Sequence, residues 1–334
     1  MLLRAVDVFD IYVEPFIHSG FRLPNQPYSY YYRSLFSLHN ETLSVWIHLL
    51  GTFILIGQVF HQIFHFPSGE DSMILSAYVF YNYFGACLML LCSAQAHLLH
   101  SRTLADHIRS FYLDYFGINF YGFTSGIILY KFSFQQHFHI EDRSTDETRY
   151  YMILALFTLY SLSMACFCKI FYHRPYPLSH KCLQCSGVLL VYLYQIWPIL
   201  KMLFLTYVFP DERQELNEHG EKALFWHLLQ IVSFVLSGFI FVGRIPERFY
   251  PGGFDLFGQS HHTFHFTIFL MVYCQSNAVY EDILSSSSKM IEHNLIKDLL
   301  FTLLVLILQL LSICSWFRIS RPAIERRYQA TFDD

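Results

Sequence analysis

Phe257-Gly258-Gln259-Ser260-His261-His262-Thr263-Phe264-His265-Phe266 opens a long apolar run that continues to about residue 280. His261 and His265 are four residues apart, so a helix puts both imidazoles on one face, one turn from each other. Ionisable groups inside a membrane-length helix are costly and face a cavity or a partner. Two readings follow. Either both histidines bind a metal with a third ligand from elsewhere, or they are neutral side chains hydrogen-bonded within a bundle.

Composition sets the wider frame. The 334-residue chain is 54% hydrophobic and 19% aromatic, with 14% charged residues against the ~25% of soluble domains. With several apolar runs near membrane length, this is an all-α polytopic membrane protein. A net charge of −4 implies no nucleic-acid partner. The first twenty residues mix acids with apolar residues and make a poor secretory signal. Six of the eight cysteines fall in apolar runs and read as small core residues. Cys182 and Cys185 form a single CxxC, read as lying in a short loop, with no second pair to complete a zinc knuckle.

Eight apolar segments are predicted at roughly 44–66, 73–98, 112–132, 149–171, 186–209, 223–243, 259–280 and 298–317. The expected division is a cytosolic amino-terminal region (1–43), a seven-helix core (44–280), a loop with an eighth transmembrane helix (281–317) and a cytosolic tail (318–334). The amino-terminal region, the even-numbered loops and the tail hold twice the Lys and Arg of the odd-numbered loops. The positive-inside rule therefore puts both termini in the cytosol. Asn40-Glu41-Thr42 is a glycosylation sequon just before the first segment. On that side it goes unused, and Asn40 is expected to cap the helix instead.

Orientation brings distant residues to one depth. The second segment runs inward and ends at Ser93-x₃-His97. The third begins on the cytosolic side with Asp114, and the seventh with Ser260, His261 and His265. Three imidazoles with one open position suit Zn²⁺, which acidifies a bound water. Asp114 is the candidate to orient that water or an imidazole, and Ser93 to hydrogen-bond a carbonyl or alkoxide. Each also has a plain structural use, Asp114 at a helix start and Ser93 bonded to its own backbone. His61 and His65 have the same spacing but fall at the outer end of the first segment. They read as interfacial, so spacing alone is the weaker signal and shared depth the stronger. His100, His137, His139 and His262 read as loop or packing residues.

Four motifs then carry a resemblance. Leu38-His-Asn-Glu-Thr-Leu-Ser-Val-Trp-Ile-His-Leu49, Ser93-x₃-His97, Leu113-Asp114-Tyr115, and Arg244-Ile-Pro-Glu-Arg-Phe-Tyr-Pro-Gly-Gly-Phe-Asp255 with Ser260-His261-x₃-His265 resemble the progestin and adipoQ receptor family. The likeness runs over roughly residues 15–317. Glu14-Pro-Phe-Ile-His-Ser-Gly-Phe-Arg22 and the eighth segment resemble its membrane progestin receptor branch. The resemblance implies a seven-helix adiponectin-receptor-like core with a cytosolic amino terminus. It also implies zinc held by the positions of His97, His261 and His265, with the family's aspartate at Asp114 and its serine at Ser93. It further implies a steroid (progestin) or other lipid ligand, a plasma-membrane location, and rapid non-nuclear signalling through a heterotrimeric G protein. Ala94-Gln95-Ala96 replaces a bulkier run of the adiponectin receptors, which bears on pocket shape. Ceramidases of the wider superfamily make a zinc-dependent lipid amidohydrolase the alternative.

Overall fold

The computed structural model describes residues 2–69, 71–134, 143–172, 177–208, 216–285 and 294–330. Beyond a two-stranded sheet and a few short 3₁₀ turns, it is helical. Strand β1 (Leu3–Arg4) pairs antiparallel with β2 (Ser19–Phe21), and a short helix α1 follows (Tyr28–Arg33). Eight long helices then succeed one another: α2 (Thr42–Phe64), α3 (Ser72–Leu99), α4 (Leu104–Ile128), α5 (Arg143–Phe171), α6 (Leu178–Val208), α7 (Glu218–Gly243), α8 (Ser260–Ser285) and α9 (Leu295–Ala330). A π-helical stretch, Leu129–Phe134, extends α4. Each contains one of the eight apolar segments or nearly so, and each extends further at one end or both because polar end turns are helical too. Cys182 and Cys185 accordingly lie in the first turns of α6, not in a loop.

Six of these helices are long and apolar enough to cross a membrane. The two that fall short in apolarity, α4 and α8, are long enough at ~1.5 Å per residue. Their polar residues are buried: Asp114, Asn119, Thr124 and Ser125 on α4, and His265, Gln275, Ser276 and Asp282 on α8. A helix shielded by its neighbours can carry polar groups that lipid would exclude. So the least hydrophobic spans are inner ones, and they carry three of the five candidate site residues.

Small residues let α3 and α4 approach closely. A Cβ on Gly117 of α4 would stand 2.8 Å from Cys92 Cβ and 3.1 Å from Met89 Cα of α3. Gly85 of α3 meets Thr124 of α4 in the same way. That crossing sets Asp114, one turn before Gly117, against Ser93, one residue beyond Cys92. The eighth long helix, α9, packs on α4 and α5, with Asp298 fully buried among Lys131, Tyr78 and Tyr151.

The amino-terminal segment and the loop between α7 and α8 close the end of the bundle that holds the histidines. Asp255 accepts from the His18 N–H (2.9 Å) and the Ser19 hydroxyl (2.7 Å). Glu247 accepts from the Ser260 N–H at 2.7 Å and from its hydroxyl, satisfying the first turn of α8. Arg22 is buried and donates to the carbonyls of His97 (2.8 Å) and Leu98 (2.7 Å), closing the last turn of α3. Burial lowers its pKa to about 10, with the nearby Glu41 charge acting the other way. Asn40 does not cap α2: the N-cap is Glu41 and makes no side-chain cap bond. Asn40 is buried, and its carbonyl receives Gln259 Nε2 at 2.9 Å, so this turn is spent joining α2 to α8.

Candidate metal centre

The three histidines come from two helices and meet at one end of the bundle. His97 lies in the last turn of α3, and His261 and His265 in the first two turns of α8. One nitrogen from each of the three lies within 4.8 Å of the other two. Ring centroids stand 4.5 Å apart for His97 and His265, 5.0 Å for His97 and His261, and 4.3 Å for His261 and His265. Nε2 of His265 is 2.9 Å from Nε2 of His261. His97 and His265 are buried and His261 is partly exposed. Nitrogen donors crowded around one point in an apolar bundle have the chemistry of a transition-metal site.

Helix α2 supplies the surrounding shell. Glu41 Oε2 is 2.9 Å from Nδ1 of His97, and His48 Nε2 is 2.7 Å from Nδ1 of His265. Burial alone would raise the Glu41 carboxyl, but the imidazoles of His97 and His100 outweigh it and hold it well below the usual carboxylate range. With both Nδ1 atoms engaged, Nε2 is the nitrogen left on His97 and on His265 for an ion. Glu41 and His48 are missed when α2 is read only for apolarity. Their seven-residue spacing, which puts them on one helix face, is the signal that could have found them.

Asp114 is buried within electrostatic reach of His97 and hydrogen-bond reach of Ser93. Its Oδ1 has no hydrogen-bond partner among the described residues. The five residues selected from sequence thus gather at one end of the bundle. The other histidines separate by role. His61 and His65 stack on each other at the exposed far end of α2. His262, buried, reaches the Asn40 carbonyl at 3.0 Å. His100, the C-cap of α3, is buried and packs beside Glu41 at 3.4 Å. His137 and His139 lie outside the described residues.

A polytopic helical bundle with buried imidazoles clustered at one end defines a class of membrane protein, and comparison with known sequences narrows it. The haemolysin-III-related family profile matches residues 36–276, and the chain belongs to this family. It is 28% identical over 280 residues to human membrane progestin receptor beta, covering 83% of this chain and 74% of that protein. Zebrafish (Danio rerio) membrane progestin receptor alpha-B is 29% identical over 283 residues, 83% of this chain and 75% of that protein. Human membrane progestin receptor alpha is 28% identical over 279 residues, with the same two coverages.

Proposed function

We propose that the chain is a plasma-membrane progestin receptor with a zinc site in the cytosolic half of the bundle, and that it mediates rapid non-nuclear signalling. The observation that carries the steroid reading is similarity over 83% of the chain to proteins named membrane progestin receptors. An apolar, aromatic-rich helical interior with a few polar groups suits a steroid. The clustered nitrogens of His97, His261 and His265 support the metal reading, and their donor type favours Zn²⁺. Loop charge supports a cytosolic amino terminus. A heterotrimeric G protein on that face completes the reading.

The test is saturable binding of labelled progesterone by purified protein in nanodiscs, with metal content measured on the same sample. Binding indistinguishable from empty nanodiscs would remove the steroid. Progestin-dependent nucleotide exchange on added G protein tests the coupling. A glycan on Asn40 would reverse the orientation.

A second reading, a zinc-dependent lipid amidohydrolase of ceramidase type, is favoured by one observation. Asp114 keeps a carboxylate oxygen with no partner among the described residues, beside His97 and Ser93. When bound, zinc supplies Lewis-acid activation of water and of an amide carbonyl. Asp114 is then placed to accept a proton from water and return it to the leaving amine. Ser93 is placed to donate a hydrogen bond to the oxygen of the carbonyl under attack. Asp114→Ala should abolish ceramide cleavage and leave progesterone affinity within a few-fold. Loss of both together would mean that Asp114 holds the fold and not the chemistry.

A further inference from the structure

We infer that Glu41 and His48 are positioning residues of the metal centre, each holding one imidazole so that its Nε2 faces the ion. The inference rests on the metal reading above and extends it to a helix that donates no ligand. Both residues belong to the inner end of α2 and lie seven positions apart, on one face. Each addresses Nδ1 of an imidazole from a different helix: Glu41 that of His97 on α3, His48 that of His265 on α8. These are short contacts, 2.9 and 2.7 Å, between groups that are all nearly inaccessible. Glu41 can only accept when ionised, so His97 carries its proton on Nδ1 and its Nε2 lone pair is free. His48 Nε2, when it accepts from His265 Nδ1–H, frees Nε2 of His265 likewise. A histidine ligand is oriented, and its basicity raised, by the acceptor on its other nitrogen.

Glu41 itself, with His97 and His100, forms a second cluster of metal-type donors. Its geometry reads better as support than as another ion site. Glu41 already meets His97 at the length of a charge-assisted hydrogen bond. His100 stands farther off, at 3.4 Å. The backbone fixes this arrangement independently of any ion. The Glu41 N–H donates to His39 Nδ1 at 3.1 Å, and the adjoining Asn40 carbonyl receives Gln259. The carboxylate is therefore placed by the turn that joins α2 to α8.

Zinc affinity of the purified full chain, measured by competition with a calibrated chelator, tests this. The same samples are melted in chelator, without zinc. Glu41→Ala and His48→Leu should each bind zinc about ten- to a hundredfold more weakly than the wild type, with zinc-free melting nearly unchanged. Glu41→Gln, which keeps a neutral acceptor, should fall between. Co²⁺ loaded in place of zinc should show an altered visible spectrum in both variants. Affinities within twofold of the wild type would overturn the positioning role and leave the metal site standing. Two zinc ions per wild-type chain, one lost in Glu41→Ala, would make Glu41 a ligand and overturn it too. No zinc in the wild type would remove the metal site and its positioning residues together. Where Glu41→Ala or His48→Leu fails to fold, Glu41→Gln and His48→Gln carry the same comparison.

Discussion

Two polar clusters sit inside this bundle, at opposite ends, and they are built on different principles. Helix α8 contributes to both: His265 belongs to one and Asp282 to the other, 17 residues and so roughly 25 Å further along. At the Asp282 end, charge meets charge. Lys131 pairs with Glu147 at 2.8 Å and with Asp298 at 3.3 Å, Lys297 with Glu147 at 2.6 Å, and His227 with Asp282 at 2.9 Å. Tyr78 and Tyr151 hydroxyls complete Asp298, and Ser133 donates to Asp282. At the His265 end, imidazole nitrogens face one another, and a carboxylate oxygen of Asp114 has no partner among the described residues. The first cluster is complete as it stands and joins helices. The second has donor atoms left over, which is what a binding site needs. Buried polarity alone therefore says little; what separates lock from site is whether the valences are used up.

The sharpest way to break the comparison is to spoil the lock. Lys131 and Asp298 are wholly buried, so removing one leaves the Lys131–Glu147–Lys297–Asp298 cluster with one net buried charge. Lys131→Met or Asp298→Leu alone should cost about 3–5 kcal/mol, while the two together should be near neutral, because the desolvation penalty leaves with the charges. Thermal unfolding of purified protein in nanodiscs measures this. Equal losses in singles and double would mean that the pair is not what ties α9 to the core. Zinc content should be unchanged in the double variant, since the clusters are roughly 25 Å apart.

The next largest effect belongs to the other end. His261→Ala with His265→Ala should take zinc from about one per chain to background by elemental analysis. In the wild type, free zinc at a hundred times its dissociation constant should add ~2.7 kcal/mol to stability. The double variant should gain nothing. A wild-type level of metal in that variant would place the ion elsewhere.

The two clusters were unequally legible in the sequence. The His265 end could be found because its residues are rare in apolar runs and because loop charge set Ser93, His97, Asp114, His261 and His265 at one depth. Helical periodicity inside each span did the rest, since Ser93 and His97, like His261 and His265, are a turn apart. Glu41 and His48 escaped because a residue's neighbours across helices are not visible in its own helix. The same limit hid His100, whose place beside Glu41 depends on how α2 and α3 cross. The lock at the far end was less visible still. Lys131, Glu147 and Lys297 lie at segment edges, where charged residues are ordinary, and only packing shows that Lys131 is fully buried. The eight long helices themselves were readable because length and side-chain pattern are local properties. Their ends were not, since polar turns extend a helix wherever neighbouring segments satisfy them.

Close helix approach gives a smaller, more selective probe of the His265 end. Gly117→Ala places a methyl 2.8 Å from Cys92 Cβ and 3.1 Å from the Met89 Cα, in backbone that cannot swing away. Overpacking of this kind costs about 1–3 kcal/mol. The push falls between α3 and α4, so Asp114 should move relative to Ser93 and His97. Zinc binding, which depends on α3 and α8, should change less than any activity that needs Asp114. A variant as stable as the wild type would show that the two helices are not in close contact there.

The smallest expected effect is a pH dependence confined to the His265 end. His39 precedes α2, is buried, and accepts the Glu41 N–H on Nδ1. Burial, reinforced by the charge of Arg22, lowers its pKa from 6.5 to about 3. The sign follows from which state takes the proton. Between about 6.5 and about 3 the unfolded chain binds a proton at His39 and the folded chain does not, so stability falls as pH falls through this window. The contribution is at most about 1.4 kcal/mol per pH unit. His39→Gln keeps an acceptor and removes the titration, so its unfolding free energy should decline less steeply between pH 6.5 and 4.5 than that of the wild type. Parallel curves would show that His39 is already protonated in the fold, and that the buried turn at Glu41 tolerates a second positive charge beside Arg22.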